Sequence, residues 1–292
     1  MENKPVETFL DRVIQWAIGC KSIEALLMTG SRAEKGKVDP LSDYDLSLFC
    51  QDPFELVNAP LHLEEIALLW VVIPEQFLFE GVTIPTRLAI FEGGVKVDFA
   101  FFPTSLLQQL ARSTALPDAL NKGYRVLIDK EGLAKSLPAP SYEGFIEKKP
   151  SLEEFDALFQ EFWFEAYHVA KYLSRQDLWS MQFRLSGLRD LLLRMIRWHE
   201  AARHDWKLAT SAIGKRMEDW VSEETQQQLS GLFSPFDAKE GWLALSNNLQ
   251  LFQKLSSETA SMLGYAMRVD LEEKMSQHLV HLWQEATKKG NA

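Results

Sequence analysis

The residues of this chain best suited to chemistry are Asp43 and Asp45, in "LSDYDLSLF". Side chains two apart on a strand project to the same side, so these two carboxylates would stand together. Alone they repel each other. A divalent cation between them removes the conflict, and Mg²⁺ suits oxygen donors while keeping room for substrate phosphates. A third carboxylate, Asp98, lies in "VKVDFAFF", a run so apolar that an unpaired charge would cost several kcal/mol. A metal is one partner that relieves that cost. Upstream, Gly30-Ser31 closes the apolar run "IEALLMTG". A small-residue turn there lets backbone N–H groups and a hydroxyl approach an anion closely. Arg32 adds a permanent charge with bidentate geometry for phosphate. The two parts read as one device that grips the phosphates of a nucleotide and the metal bridging them. Taken singly, Gly-Ser is an ordinary turn, Asp-x-Asp a common loop and Asp98 an edge-strand charge. Their order and context give them a joint meaning.

The surrounding elements must position these groups. Up to about Asp129 the chain alternates between short helices and strands. "VETFLDRVIQWAIG" places Phe9, Val13, Ile14 and Ala17 on one helical face. "IEALLMTG", "YDLSLFC" and "YRVLID" read as strands. "TRLAIFEGG" and "VKVDFAFF" read as a hairpin joined at Gly93-Gly94. "PLHLEEIALLWVVI" reads as a helix running into an apolar segment, and "PTSLLQQLA" as a helix. Strands mixed with helices predict an α/β (α+β) domain with a mixed sheet over 1–137. "LPAPSYEGFIEKKPS" has three prolines and no apolar periodicity, which predicts a linker over about 138–151.

From 152 to 292 the pattern is helical and predicts an all-α bundle. In "SLEEFDALFQEFWFEAYHVAKYLSR", Leu152, Phe155, Phe159, Phe162, Ala166, Val169 and Leu173 keep the 3–4 spacing, and Ser151 with Glu154 forms a capping box. Arg184, Arg189, Arg194 and Arg197 are expected to pair with neighbouring acids. His199 and His204 read as surface residues of a helix.

Bulk properties narrow the function. The 292 residues suit one large or two ordinary domains, and the apolar and charged content is that of an ordinary soluble protein. The net charge of −10 disfavours nucleic acid and favours a cationic small molecule. No apolar run approaches the ~20 residues that span a bilayer. The two cysteines, Cys20 and Cys50, form no C-x-x-C pair, and the N-terminus lacks a signal-peptide order, so a reducing cytoplasm is expected. The six histidines have no metal-ligand spacing.

A Gly-Ser turn, an Asp-x-Asp about ten residues later and an Asp on a further strand together resemble the nucleotidyltransferase superfamily of the polymerase β type. More narrowly, "GSRA…LSDYDLSLF", "FEGGVKVDFAFFP" and "EFWFEAYHVAKYLSRQDL" resemble the streptomycin (aminoglycoside 6-) adenylyltransferases across both domains. Here the loop "AEKGKVDPLS" carries Glu34 where an Asn is usual, and Tyr172 stands where a glycine is usual.

The resemblance implies transfer of AMP from ATP to an aminoglycoside hydroxyl, with Mg²⁺ as cofactor. It implies that Asp43, Asp45 and Asp98 are the catalytic metal ligands, with Asp98 either a base or only a ligand. Gly30, Ser31, Arg32 and Lys171 would contact the nucleotide. Glu92, Glu161, Trp163 and Glu165, with Asp190, would receive the cationic acceptor between the domains. The competing functions are nucleotidyl transfer to a different alcohol or protein hydroxyl, and nucleotide binding without catalysis. Oligomeric state is not legible.

Overall fold

The computed structural model describes residues 8–33, 38–142, 146–210 and 213–288. The chain divides into two units, Met1–Gly144 and Phe145–Ala292.

The first unit opens with helix α1 (Phe9–Gly19), started by a reciprocal cap between Thr8 and Asp11 and burying Val13, Trp16 and Ala17. Six strands follow: β1 (Ile23–Thr29), β2 (Tyr44–Cys50), β3 (Leu69–Phe79), β4 (Val82–Phe91), β5 (Val95–Pro103) and β6 (Arg125–Asp129). They form one sheet in the order β3-β4-β5-β2-β1-β6. Only β2 and β5 pair parallel, so the sheet is mixed, as expected. Short helices α2 (Pro53–Asn58), α3 (Thr104–Arg112) and α4 (Asp118–Asn121) lie in the connections.

The alternation of strand side chains gives the sheet two unlike faces. One face buries Leu46, Leu48, Val97, Phe99, Ala89 and Phe91 against α1. The other buries Ala25, Leu27, Phe49, Phe102 and Ile84 against Leu106, Leu107 and Leu110 of α3. Asp45 and Asp98 share the second face, because Phe49 and Phe102 lie an even number of residues further along the same strands.

The expected helix over "PLHLEEIALLWVVI" is replaced by a single 3-10 turn, Leu63–Glu65, followed by β3. His62 enters that turn in a left-handed conformation (φ 49°), and the β-branched run after Leu69 pairs with β4. β3 is an edge strand, which is where Pro74 is tolerated inside it.

The second unit contains α5 (Leu152–Ser174), α6 (Leu178–Arg203), α7 (Glu223–Leu229), α8 (Ala238–Leu263) and α9 (Val269–Lys288). α5 begins with the anticipated Ser151–Glu154 capping box and buries the apolar stripe from Phe155 to Leu173, while Leu152 stays exposed. Phe162 of α5 stacks on Phe252 of α8 with ring centroids 3.6 Å apart. Residues 143–145 of the expected linker lie outside the described residues. Among the described residues no helix is long and apolar enough to cross a membrane.

Candidate functional site

Strand register assembles the acidic site. In the parallel β2–β5 pair Asp45 lies directly opposite Asp98 and Tyr44 opposite Val97. Asp43, the residue just before β2, meets Lys96 of β5. Three carboxylates and one ammonium thus stand on one face of the sheet. Lys96 Nζ donates to Asp43 Oδ2 at 2.7 Å and to Asp98 Oδ2 at 2.9 Å. Burial works against the charge on Lys96, but its bonds to Asp43 and Asp98 outweigh that and raise its pKa above the ordinary lysine value. The alternation in "VKVDF" carried this signal: if Asp98 faces the site, so does the residue two before it.

The Gly30–Arg32 segment is a 3-10 turn directly after β1. Gly30 has φ +64°, and a Cβ there would lie 1.9 Å from Asp45 Oδ2. No side chain fits, so the turn and the carboxylate touch only because position 30 is glycine. Ser31 is half-buried in the same turn.

Arg32 is bonded to the backbone just before β2. Its Nε donates to the Ser42 and Asp43 carbonyls at 3.0 and 3.2 Å, and its Nη2 donates to the Ser42 carbonyl at 2.7 Å. The guanidinium lies 4.0 Å from the Tyr44 ring centroid. Arg32 pins the chain entering β2 and so sets the position of Asp43. Glu34 lies outside the described residues.

A pocket of about 330 Å³ opens beside the carboxylates, lined by Asp45, Asp98, Thr29, Ser47 and Thr86, with Phe77, Phe79 and Phe102 further along. Two buried polar atoms of its lining residues, Asp98 Oδ1 and Thr86 Oγ1, have no hydrogen-bond partner. Among the described residues no three His, Cys, Asp or Glu side chains are grouped to hold a metal ion as they stand. Lys96 is the cation that Asp43 and Asp98 share instead.

Glu92 sits exposed in the β4–β5 turn, its backbone N–H donating to Leu68 O at 2.8 Å.

In the second unit, Glu161, Glu165 and Asp190 come together around a pocket of about 440 Å³ that Phe183 and Arg184 also line. Arg184 donates to Glu165 at 3.0 Å. Trp163 belongs elsewhere: it is 1% exposed, packed edge-on to Phe159 and Phe162 in the core, and presents no open ring to a ligand. Phe183, 73% exposed, is the aromatic side chain at the acidic pocket. Lys171 is half-buried, its ammonium over the rings of Tyr167 and Tyr172 at 5.8 and 5.1 Å.

Of the expected arginine pairs, Arg184 bonds Glu165 and Arg197 bonds Glu147, whereas Arg189 lies over Phe233 and Arg194 over Trp198. His199 is buried rather than on the surface. Its Nε2 is 2.7 Å from Glu258 Oε2.

A family model describing streptomycin adenylyltransferase matches residues 3–282. An aminoglycoside 6-adenylyltransferase of Bacillus subtilis (strain 168) is 27% identical over 270 residues, covering 90% of this chain and 92% of that protein. An aminoglycoside 6-adenylyltransferase of Campylobacter jejuni is 26% identical over 275 residues, covering 92% and 93%. The crystal structure of an aminoglycoside 6-adenyltransferase from Bacillus subtilis aligns over 95% of this chain and 98% of its own, at 21% identity and a TM-score of 0.47.

Proposed function

Because this chain belongs to the streptomycin adenylyltransferase family, we propose that it transfers AMP from ATP to a hydroxyl of an aminoglycoside, with streptomycin the first acceptor to test, and releases pyrophosphate. The observation that carries this reading is Asp45 opposite Asp98 in the β2–β5 register, with Asp43 joined to Asp98 through Lys96, beside a glycine turn that no side chain could occupy. Such transfers depend on in-line positioning and charge neutralisation rather than on a covalent intermediate with the protein.

The donor set fits Mg²⁺. All three ligands are hard carboxylate oxygens, and Gly30 lets the Asp45 carboxylate lie against the turn where a Cβ would push it away. Asp43, Asp45 and Asp98 would hold the ion. Bound there, Mg²⁺ would supply neutralisation of charge developing on the phosphate oxygens.

The chain's own groups do the rest. The Gly30-Ser31 turn offers a backbone N–H and a hydroxyl to the departing phosphates. Arg32 acts at one remove, by fixing the strand entry that carries Asp43. Without the ion, Lys96 shares its ammonium between Asp43 and Asp98 and neutralises them in its place. From the helical unit, Lys171 is the candidate for a further phosphate contact. Glu161, Glu165 and Asp190 are candidates for the acceptor's cationic groups, with Phe183 as the aromatic face. An acidic protein suits such an acceptor.

The test is mass spectrometry of streptomycin, then of a panel of other aminoglycosides and simple alcohols, after incubation with the protein, ATP and Mg²⁺. A gain of one AMP unit on an aminoglycoside supports the reading. Pyrophosphate release only with a different class of acceptor, or no transfer at all, refutes it.

A further inference from the structure

The pocket beside the carboxylates runs across the sheet to an acid that no role above uses. Glu75 of β3 lies opposite Thr86, and Thr86 lies opposite Ala100, two residues beyond Asp98 on β5. Glu75 therefore stands on the same face as Asp98, two strands across and one same-face position further along. Strand spacing and rise put the two backbones about 12 Å apart. Glu75, Phe77, Phe79, Asp45 and Asp98 all line the one pocket. Asp43 and Asp98 already share Lys96, whereas the exposed Glu75 side chain has no ion pair or hydrogen bond among the described residues. Its same-face neighbours on β3 are the half-exposed Ile73 and Phe77, and Phe77 and Phe79 both meet Phe102 edge-on. Edge strands carry charges to discourage pairing, but Pro74 beside it already lacks the N–H that pairing needs. A charge with that purpose alone needs no pocket and no aromatic wall.

The order of the strands says which substrate this acid meets. In β3-β4-β5-β2-β1-β6, the Gly30–Arg32 turn follows β1, on one side of the Asp45–Asp98 pair, and Glu75 lies on the other. In-line transfer puts the leaving pyrophosphate and the incoming oxygen on opposite sides of the α-phosphorus. With the departing phosphates at the Gly30-Ser31 turn, the acceptor comes in over β4 and β3. A carboxylate accepts hydrogen bonds and carries a negative charge, and an aromatic ring beside it attracts a cation. Both features select a positively charged nitrogen.

We propose that Glu75 binds a cationic nitrogen of the acceptor, an ammonium or a guanidinium, with Phe77 beside it, and so helps to decide which alcohols the protein accepts. This rests on the AMP-transfer reading above. Glu75 holds the acceptor by its charge at the β3 edge while a hydroxyl elsewhere on the same molecule reaches the α-phosphorus. No bond forms or breaks at Glu75. The contact is the same in the ground state and the transition state, so it sets the acceptor's KM and leaves kcat alone.

The experiment compares wild type with Glu75→Gln, which removes the charge, and Glu75→Asp, which keeps it on a shorter stem. Thermal midpoint, kcat, KM for ATP and KM for each aminoglycoside of the panel that wild type modifies are measured at low and high salt. All three proteins should melt within about 2 °C of one another, because Glu75 is exposed. Glu75→Gln should raise the acceptor's KM about tenfold at low salt, with kcat and KM for ATP unchanged. The gap should narrow at high salt, which screens an open ion pair. Glu75→Asp should lose less than Glu75→Gln. A structural role would not produce a salt-dependent change confined to the acceptor's KM. An unchanged acceptor KM in Glu75→Gln overturns the proposal. So does a rise confined to KM for ATP, which would give the pocket to the nucleotide's base. Should Glu75→Gln fail to fold, Glu75→Asp and Glu75→Ser are compared, and equal acceptor KM in those two overturns it. If wild type modifies no aminoglycoside, the AMP-transfer reading fails and takes this proposal with it; an active wild type matched by Glu75→Gln at every acceptor sinks this proposal alone.

Discussion

The two faces of the one sheet obey different rules. Toward α1, the strands present Leu46, Leu48, Val97, Phe99, Ala89 and Phe91, all buried and all apolar. Toward the other side the same strands present Asp45, Ser47, Thr86 and Asp98 before reaching the apolar cluster around Phe49 and Phe102. Both orphaned polar atoms of the strands, Thr86 Oγ1 and Asp98 Oδ1, lie on this second face. Burying polar atoms unpaired costs stability. The first face is therefore built for folding, and the second gives up some of that stability to hold polar and charged groups. A period-two pattern lets one strand serve both purposes at once.

Substitutions can break this contrast, starting with the largest effect. Asp45→Asn or Asp98→Asn should lower AMP transfer by about 10²–10³-fold with little change in the circular dichroism spectrum, because each removes a charge from the second face without touching the first. Equal activity in either variant would dissolve the distinction between the faces. Gly30→Ala should follow. Its Cβ would overlap Asp45 Oδ2, and the left-handed backbone disfavours any side chain, so the carboxylate must move. A displacement of this kind lowers kcat by about 100-fold. A steady-state assay of pyrophosphate release reports both effects.

Lys96→Met sharpens the contrast from the opposite side. Removing the ammonium that bridges Asp43 and Asp98 leaves those two carboxylates without the cation they share. Mn²⁺ affinity of the nucleotide-free protein, read by electron paramagnetic resonance of free Mn²⁺, should rise about tenfold. Unchanged or weaker binding would mean that Lys96 does not stand where a metal would.

The smallest effect concerns a buried charge that is fully accommodated. Glu200 in α6 is 1% exposed. Burial alone would raise its pKa, but the neighbouring His199 ring, with Nδ1 3.9 Å away, and the N–H of Ser222, which donates to it, lower it to about 2. The folded value lies below the unfolded value of 4.5. Its contribution is complete above that unfolded value and is lost as pH falls from about 4.5 toward about 2. Glu200→Gln should flatten the acid limb of a urea-unfolding series by ~2 kcal/mol over that window and leave kcat at neutral pH unchanged. An acid limb as steep as that of wild type would show that this pairing is not what holds the charge.

Much of the second face was readable from residue order. The alternation of "YDLSLFC" and "VKVDFAFF" places Asp45 and Asp98 on strands, and the parallel β2–β5 register then brings them opposite each other. Lys96 was readable by the same rule, two residues before Asp98. Thr86 was not, because its place beside the carboxylates comes from the β4–β5 register, which is not a property of local sequence. β3 was hidden because Pro74, Glu75 and Gln76 interrupt its apolar run, a composition that only an edge strand tolerates. Trp163 and His199 show the limit of helical periodicity. The spacing says that a residue lies on a face, but the packing of α5 against α6 and α8 decides which faces close.

One measurement bears most directly on the claim that Asp43, Asp45 and Asp98 share a divalent ion beside the nucleotide. It is the anomalous signal of Mn²⁺ in crystals grown with a non-hydrolysable ATP analogue. The account predicts a peak at metal–oxygen distance, about 2.1 Å, from carboxylates of all three aspartates, with Lys96 no longer bridging Asp43 and Asp98. A peak away from them, with the Lys96 bridge intact, would contradict it.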